Sequence, residues 1–132
     1  MSGETDLSVL LGAMSPRLHE GAYVFTTVTG PLPATAEPVV TVREPEGTTL
    51  VLGRSEADRL RLPYDYPAAW ITLQVHSALA AVGLTAAVSA ALADAGISCN
   101  VVAGYFHDHL FVPYDRAAEA VDRLTALAER RA

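Results

Sequence analysis

Lysine is absent from this 132-residue sequence, cysteine and tryptophan occur once each, and methionine twice. The single cysteine, Cys99, excludes an intrachain disulfide and any zinc site built from several thiolates. Without lysine, positive charge rests on nine arginines against fifteen acidic residues, a formal net charge of −6. The arginines are scattered and form no basic stripe, so neither nucleic acid nor an anionic membrane surface is an expected partner. No uninterrupted apolar run approaches the ~20 residues that a bilayer-spanning helix needs. The N-terminus shows no basic stretch leading into an apolar one, so no secretory signal is expected, and the expected location is the cytoplasm. Also missing are a nucleophile elbow, a paired-carboxylate site and a phosphate loop. The glycine at Gly83 is followed by no lysine at Walker spacing, so nucleotide hydrolysis has no support.

Apolar residues are plentiful instead, at 51% of the chain, enough to fill a core for one compact unit or for two small ones sharing it. Trp70–His76 alternates, with Ile71, Leu73 and Val75 on one side and Thr72, Gln74 and His76 on the other, the period of a half-buried strand. Ser77–Gly83 breaks that pattern. From Leu84 the period lengthens, and Leu84, Ala87, Val88, Ala91, Leu92 and Ala95 form one stripe of a helix that Gly96 terminates. Ile97–Gly104 reads as a strand, a tight turn is expected near His107–Asp108, and His109–Val112 returns as another strand. Asp115 is placed to cap a final helix whose Ala117, Val121, Leu124 and Leu127/Ala128 face the sheet.

Upstream, Thr5 or Asp6 can cap a short helix with Leu7, Leu10, Leu11 and Met14 on its apolar side, stopped by Pro16. Ala22–Thr29 alternates as a strand, and the proline-rich Gly30–Pro38 is a loop. Val39–Arg43 and Thr48–Leu52 are short strands joined by the turn Glu44-Pro45-Glu46-Gly47. Ser55 opens a brief helix ending by Pro63.

The order β-α-β-β-α is most of a ferredoxin-like unit, an antiparallel sheet with helices on one face. Three separated phrases, LLGAMSPRLHEGAYVFTTV, VGLTAAV and AGISCNVVAGYFHDHLFVP, resemble the ACT domain, specifically small bacterial stand-alone proteins with two ACT-like halves. The resemblance implies an α+β ferredoxin-like ACT fold, with residues 1–67 as an N-terminal half and 68–132 as a C-terminal βαββα half, the two sharing strands. The C-terminal half ends without its last strand, and a strand from the N-terminal half is the expected substitute.

The first candidate site is the loop Ser77–Gly83 with the helix start. Backbone N–H groups of a first helical turn are available to hold a carboxylate. ACT domains typically bind amino acids between units with this loop among the contacts, so the resemblance implies a ligand near Ser77, Val82, Gly83, Leu84 and Thr85. By themselves these residues do no more than make a turn. In the strand that follows, Asn100 carries both donor and acceptor groups suited to an α-amino or α-carboxyl group, and Val101 lines the same stretch. A plain strand-edge hydrogen bond explains Asn100 equally. Cys99 reads as a small core residue with no neighbouring cation to activate it.

His107 and His109, at i and i+2, share a face if the strand is regular, and with His76 or Asp108 they are a conceivable metal site. A hairpin turn with packed histidines accounts for the same letters, because a real site needs three or four convergent ligands. The expectation is a non-catalytic regulatory protein without cofactor that binds an amino acid or similar small carboxylate and forms a homodimer or higher homo-oligomer. The alternative is a ligand-free structural or interaction module of the same fold, with metal-dependent activity at His107/His109 a distant third.

Overall fold

The computed structural model describes residues 6–75 and 82–131. It divides the chain into two compact units: the described residues up to His19 with those from Ala69 onward, and Glu20–Ala68.

In the first unit, Asp6 caps the helix α1 (Leu7–Ala13), its carboxylate accepting from the Val9 amide at 3.1 Å, so an acidic side chain satisfies an otherwise unpaired first-turn donor. Pro16 does not merely stop the helix. It opens a three-residue strand, β1 (Pro16–Leu18), that the sequence pattern does not reveal. β1 runs antiparallel to β5 (Pro67–Leu73), with Pro16 opposite Leu73 and Leu18 opposite Ile71. β5 starts earlier and ends earlier than the alternation from Trp70 to His76 suggests, and His76 lies outside the described residues.

The helix α3 (Leu84–Asp94) buries Leu84, Val88 and Leu92, with Ala87, Ala91 and Ala95 partly covered, so the expected stripe is the one that packs. Gly96, in the left-handed region at φ 72°, lets the Ile97 amide turn back to the Leu92 carbonyl at 2.9 Å. β6 (Asn100–Ala103) and β7 (Asp108–Pro113) form a hairpin in which Ala103 faces Asp108. Its loop is Gly104–His107, closed by Gly104 N–H donating to the His107 carbonyl, so the tip of the turn, Tyr105-Phe106, lies two residues earlier than expected and Asp108 already belongs to the strand. After a 3₁₀ turn at Tyr114–Arg116, α4 (Ala117–Arg131) completes the unit. The sheet order here is β1, β5, β7, β6. Alternate residues Ala69, Ile71 and Leu73 of β5 and Leu110 and Val112 of β7 point into one core with α1, α3 and α4. The other face of these strands carries Trp70, Thr72, His109 and Phe111.

The second unit is an antiparallel sheet in the order β3 (Val40–Glu44), β4 (Gly47–Gly53), β2 (Tyr23–Val28), with one short helix, α2 (Arg54–Arg59). Glu44 pairs with Gly47 across the Pro45-Glu46 turn. A Cβ at Gly47 would sit 2.7 Å from Thr27 Oγ1 and 3.0 Å from the Val28 carbonyl oxygen, so only glycine admits β2 this closely. Gly53, not Ser55, stands at the N-cap of α2. Val24, Leu50, Leu52 and Ala57 form the core, flanked by Leu60, Leu62 and Tyr64. The architecture is α+β and antiparallel, as the element order implies.

Candidate functional site

α3 begins at Gly83, whose φ of 101° lies in the left-handed region, and among the described residues no side chain caps the helix. The Ala87 amide already bonds to the Gly83 carbonyl at 2.9 Å, which leaves the preceding amides of Leu84, Thr85 and Ala86 as the turn that points outward from the helix. Leu84 is buried and anchors this turn, Thr85 is exposed, and Val82 stands 83% exposed beside it. A Cβ at Gly83 would lie 3.0 Å from Leu7 Cδ2. Gly83 therefore holds the helix start against α1, and replacing it tests the fold before it tests any ligand. Ser77 lies outside the described residues.

Asn100 and Val101 come from β6. α3 rises about 15 Å between its first and last residues, and Asn100 opens β6 only three residues after Ile97, which is bonded to that far end. Asn100 is exposed, whereas Val101 packs against the core of the first unit. Cys99 is half-buried, and its burial pushes the thiol up to about 11, so no thiolate is available as a nucleophile near neutral pH.

The histidines build a different arrangement. His109 Nδ1 accepts the Trp70 indole N–H at 3.1 Å. Indole can only donate, so the neutral His109 ring carries its proton on Nε2. Thr72 Oγ1 lies 3.0 Å from the same His109 nitrogen and 2.7 Å from His19 Nε2. The consistent assignment is His19 Nε2–H donating to Thr72, and Thr72 donating toward His109. His19 also stacks on Trp70, ring centroids 3.5 Å apart and planes 8° from parallel, and its amide bonds to the Trp70 carbonyl at 2.9 Å. Burial, then the nearby Arg17 and His109, holds the His19 imidazole below its usual range. Burial, then His107, does the same to His109 against the opposing field of Asp108. Burial raises the Asp108 carboxyl above its usual range, although both histidines pull it down. Of this cluster the sequence singles out only His107, Asp108 and His109. His19 and Thr72 are 53 residues apart, and no local period encodes their meeting.

His107 turns away from this group, its Nδ1 donating to the Val75 carbonyl at 3.4 Å. Among the described residues no three His, Cys, Asp or Glu side chains come together as metal ligands, and no helix is long and apolar enough to cross a membrane.

With this geometry in view, two ACT domain family models match the chain, one over residues 2–69 and another over 65–126. Among curated proteins, none matches. A solved structure from Vibrio cholerae, described as a protein of unknown function and possible transport protein, is 49% identical. It covers 92% of this chain and 95% of its own, with a TM-score of 0.84. A structural-genomics protein from Agrobacterium tumefaciens is 21% identical over 87% of this chain and 89% of its own, with a TM-score of 0.67. The ligand-free regulatory subunit of aspartate kinase from Thermus thermophilus shares the fold at 7% identity and a TM-score of 0.62, over 88% of this chain and 98% of its own.

Proposed function

The chain belongs to the ACT domain family, and on that premise we propose that it is a non-catalytic regulatory protein that binds an amino acid or a closely related small carboxylate. Membership across both halves is the observation that carries the reading, and the fold shared with an aspartate kinase regulatory subunit supports it. The start of α3 supports a carboxylate in particular: amides of Leu84 and Thr85 follow a left-handed Gly83, no side chain among the described residues bonds to the cap, and the positive end of the helix dipole favours an anion there. Thr85 adds a hydroxyl at the same turn. Asn100 then reads the ammonium from a second copy of the chain, since ACT units usually complete their ligand sites across an interface. A homo-oligomer is thus part of the proposal, and binding at such a junction alters how the copies pack. Cys99 and the hydrogen-bonded histidines offer no nucleophile or general base that this reading requires.

A thermal-shift panel of the common amino acids and their keto relatives tests the proposal, since a ligand of the native state raises the melting temperature by mass action. Thr85→Glu is the diagnostic variant. A carboxylate at the first turn complements the helix dipole by about 0.3–1 kcal/mol, so the protein stays folded while the ligand's own carboxylate is repelled. The expected result is a shift with one carboxylate compound that Thr85→Glu abolishes. No shift from any compound, in a protein that melts cooperatively, overturns the sensor reading in favour of the ligand-free interaction module.

A further inference from the structure

β1 adds little apolar surface to the first unit. Pro16 is half-buried, and Arg17 and Leu18 are exposed. A segment that buries so little is held mainly by its backbone bonds and is among the first to open. Its register on β5 continues past Leu18, which sets Arg17 opposite Thr72 and His19 opposite Trp70, all on the face away from the helices. The Gln74 amide bonds to the Ser15 carbonyl at one end of this ladder, and the His19 amide to the Trp70 carbonyl at the other. Beyond the ladder, the side-chain hold is the His19 ring lying flat on the indole and bonded to Thr72. Upstream, α1 is anchored by buried Leu10, Leu11 and Met14, so β1 can part from β5 without carrying the helix away.

That hold depends on one lone pair. Neutral His109 has a single acceptor at Nδ1, and both the Trp70 indole at 3.1 Å and the Thr72 hydroxyl at 3.0 Å are directed to it. A proton on Nδ1 turns the acceptor into a donor. Thr72 can adapt, because a hydroxyl oxygen has two lone pairs and accepts from His109 and His19 together. The indole cannot adapt, since it only donates, and two N–H groups then face each other. Trp70 must move, and the stacked His19 ring loses its platform. The surrounding charges push the same way. Arg17 on β1 faces His19, and His107 on β7 adds to the positive field at His109, while Asp108 on β7 opposes it. β5 and β6 carry no ionisable side chain. Burial disfavours both charged rings in the closed arrangement, so protons bind more readily once the rings reach water.

We propose that β1 is a proton-operated strap: protonation of His109 expels the Trp70 indole, removes the support under His19 and releases Arg17–His19 from β5, while α1 and the core stay in place. The edge of β5 at Trp70 and Thr72 is then open to another strand.

Nuclear magnetic resonance of the full chain between pH 7 and pH 5, with amide exchange corrected for the intrinsic effect of pH, tests this. The Trp70 indole N–H and the His109 ring should titrate together, with a midpoint below 6.5. Over the same range the His19 amide should lose about tenfold more protection than those of Val88, Leu92 and Leu124. In His109→Asn the side-chain carbonyl still accepts the indole N–H without titrating, and the His19 amide should keep its protection down to pH 5. A His19 amide that stays protected in the unmodified chain overturns the proposal. A loss no larger than that of the α3 and α4 amides overturns it too, because that is general unfolding. So does a loss that persists unchanged in His109→Asn.

Discussion

At the scale of single residues, the group around Trp70 is where the protein's response to pH is written. His109 Nδ1 can accept from Trp70 only while unprotonated, and both His109 and His19 are held below the usual imidazole value of 6.5. A lowered folded-state value means that the unfolded chain takes up protons first as pH falls. Stability from these groups is therefore complete above pH 6.5 and lost as pH drops from there through the folded-state values. Arg17 beside His19, and His107 beside His109, sharpen the penalty, while Asp108 opposes it. Asp108 acts with the opposite sign: burial raises its carboxyl above 3.8, so its contribution is present at low pH and lost as pH rises through its folded-state value. The melting temperature should fall between pH 7 and pH 5. The emission of the single tryptophan should change over the same range, because the stacked and bonded rings beside it become charged. In His109→Asn, whose side-chain carbonyl can accept the indole N–H without titrating, the emission change should shrink. An unchanged titration in that variant would show that the proton goes elsewhere.

Among elements, the junction of α3 and α4 has an identifiable clasp. Arg116, just before α4, donates to the Ala95 carbonyl at 3.0 Å at the end of α3, and pairs with Glu119 at 2.7 Å. The guanidinium thus satisfies an orphan carbonyl and complements the negative end of the α3 dipole. Its bond lowers the Glu119 carboxyl below its usual range, but Glu119 is solvent-exposed and that pair adds little. Arg116→Ala should cost about 1 kcal/mol, chiefly from the carbonyl contact. Arg116→Lys should recover only part of it, because an ammonium cannot bridge carbonyl and carboxylate in one plane. Urea denaturation of both variants checks the order. The elements on either side of this clasp were legible in the sequence for a physical reason: α3 and α4 each bury one face, and a buried face imposes its 3.6-residue period on the residue types. The β3–β4 hairpin was legible because Pro and Gly must stand where the chain reverses. β1 was not, since three residues beginning with proline carry no period and owe their extended form to β5. Part of the candidate site was legible in the same way. Gly83 announces the helix start, but no local pattern shows that Thr72 joins His19 to His109.

Across the whole molecule, chain order and compact units do not coincide. The described residues before Glu20 belong with those from Ala69 onward, and the reason lies in α1: Leu10, Leu11 and Met14 are nearly inaccessible in the core shared with α3 and α4. Burial of side chains of this size is worth about 1.5–3 kcal/mol each, so α1 contributes a large share of the stability of a unit whose elements other than β1 begin about fifty residues later. β1 adds its ladder to β5, and the Gln74 amide reaches back to the Ser15 carbonyl at 2.8 Å. Leu10→Ala should therefore cost about 2–5 kcal/mol, and its effect should appear far from the mutation in sequence. In hydrogen exchange, amides of α3, β7 and α4 should lose protection together with those of α1, while β3 and β4 in the other unit change less. Loss of protection confined to α1 would mean that the helix is an appendage and not part of that core. The same experiment bears on function, because α1 supports the α3 start through Leu7 against Gly83. A variant that loosens α1 should weaken a ligand held by the first turn of α3, even though no α1 residue is proposed to touch it.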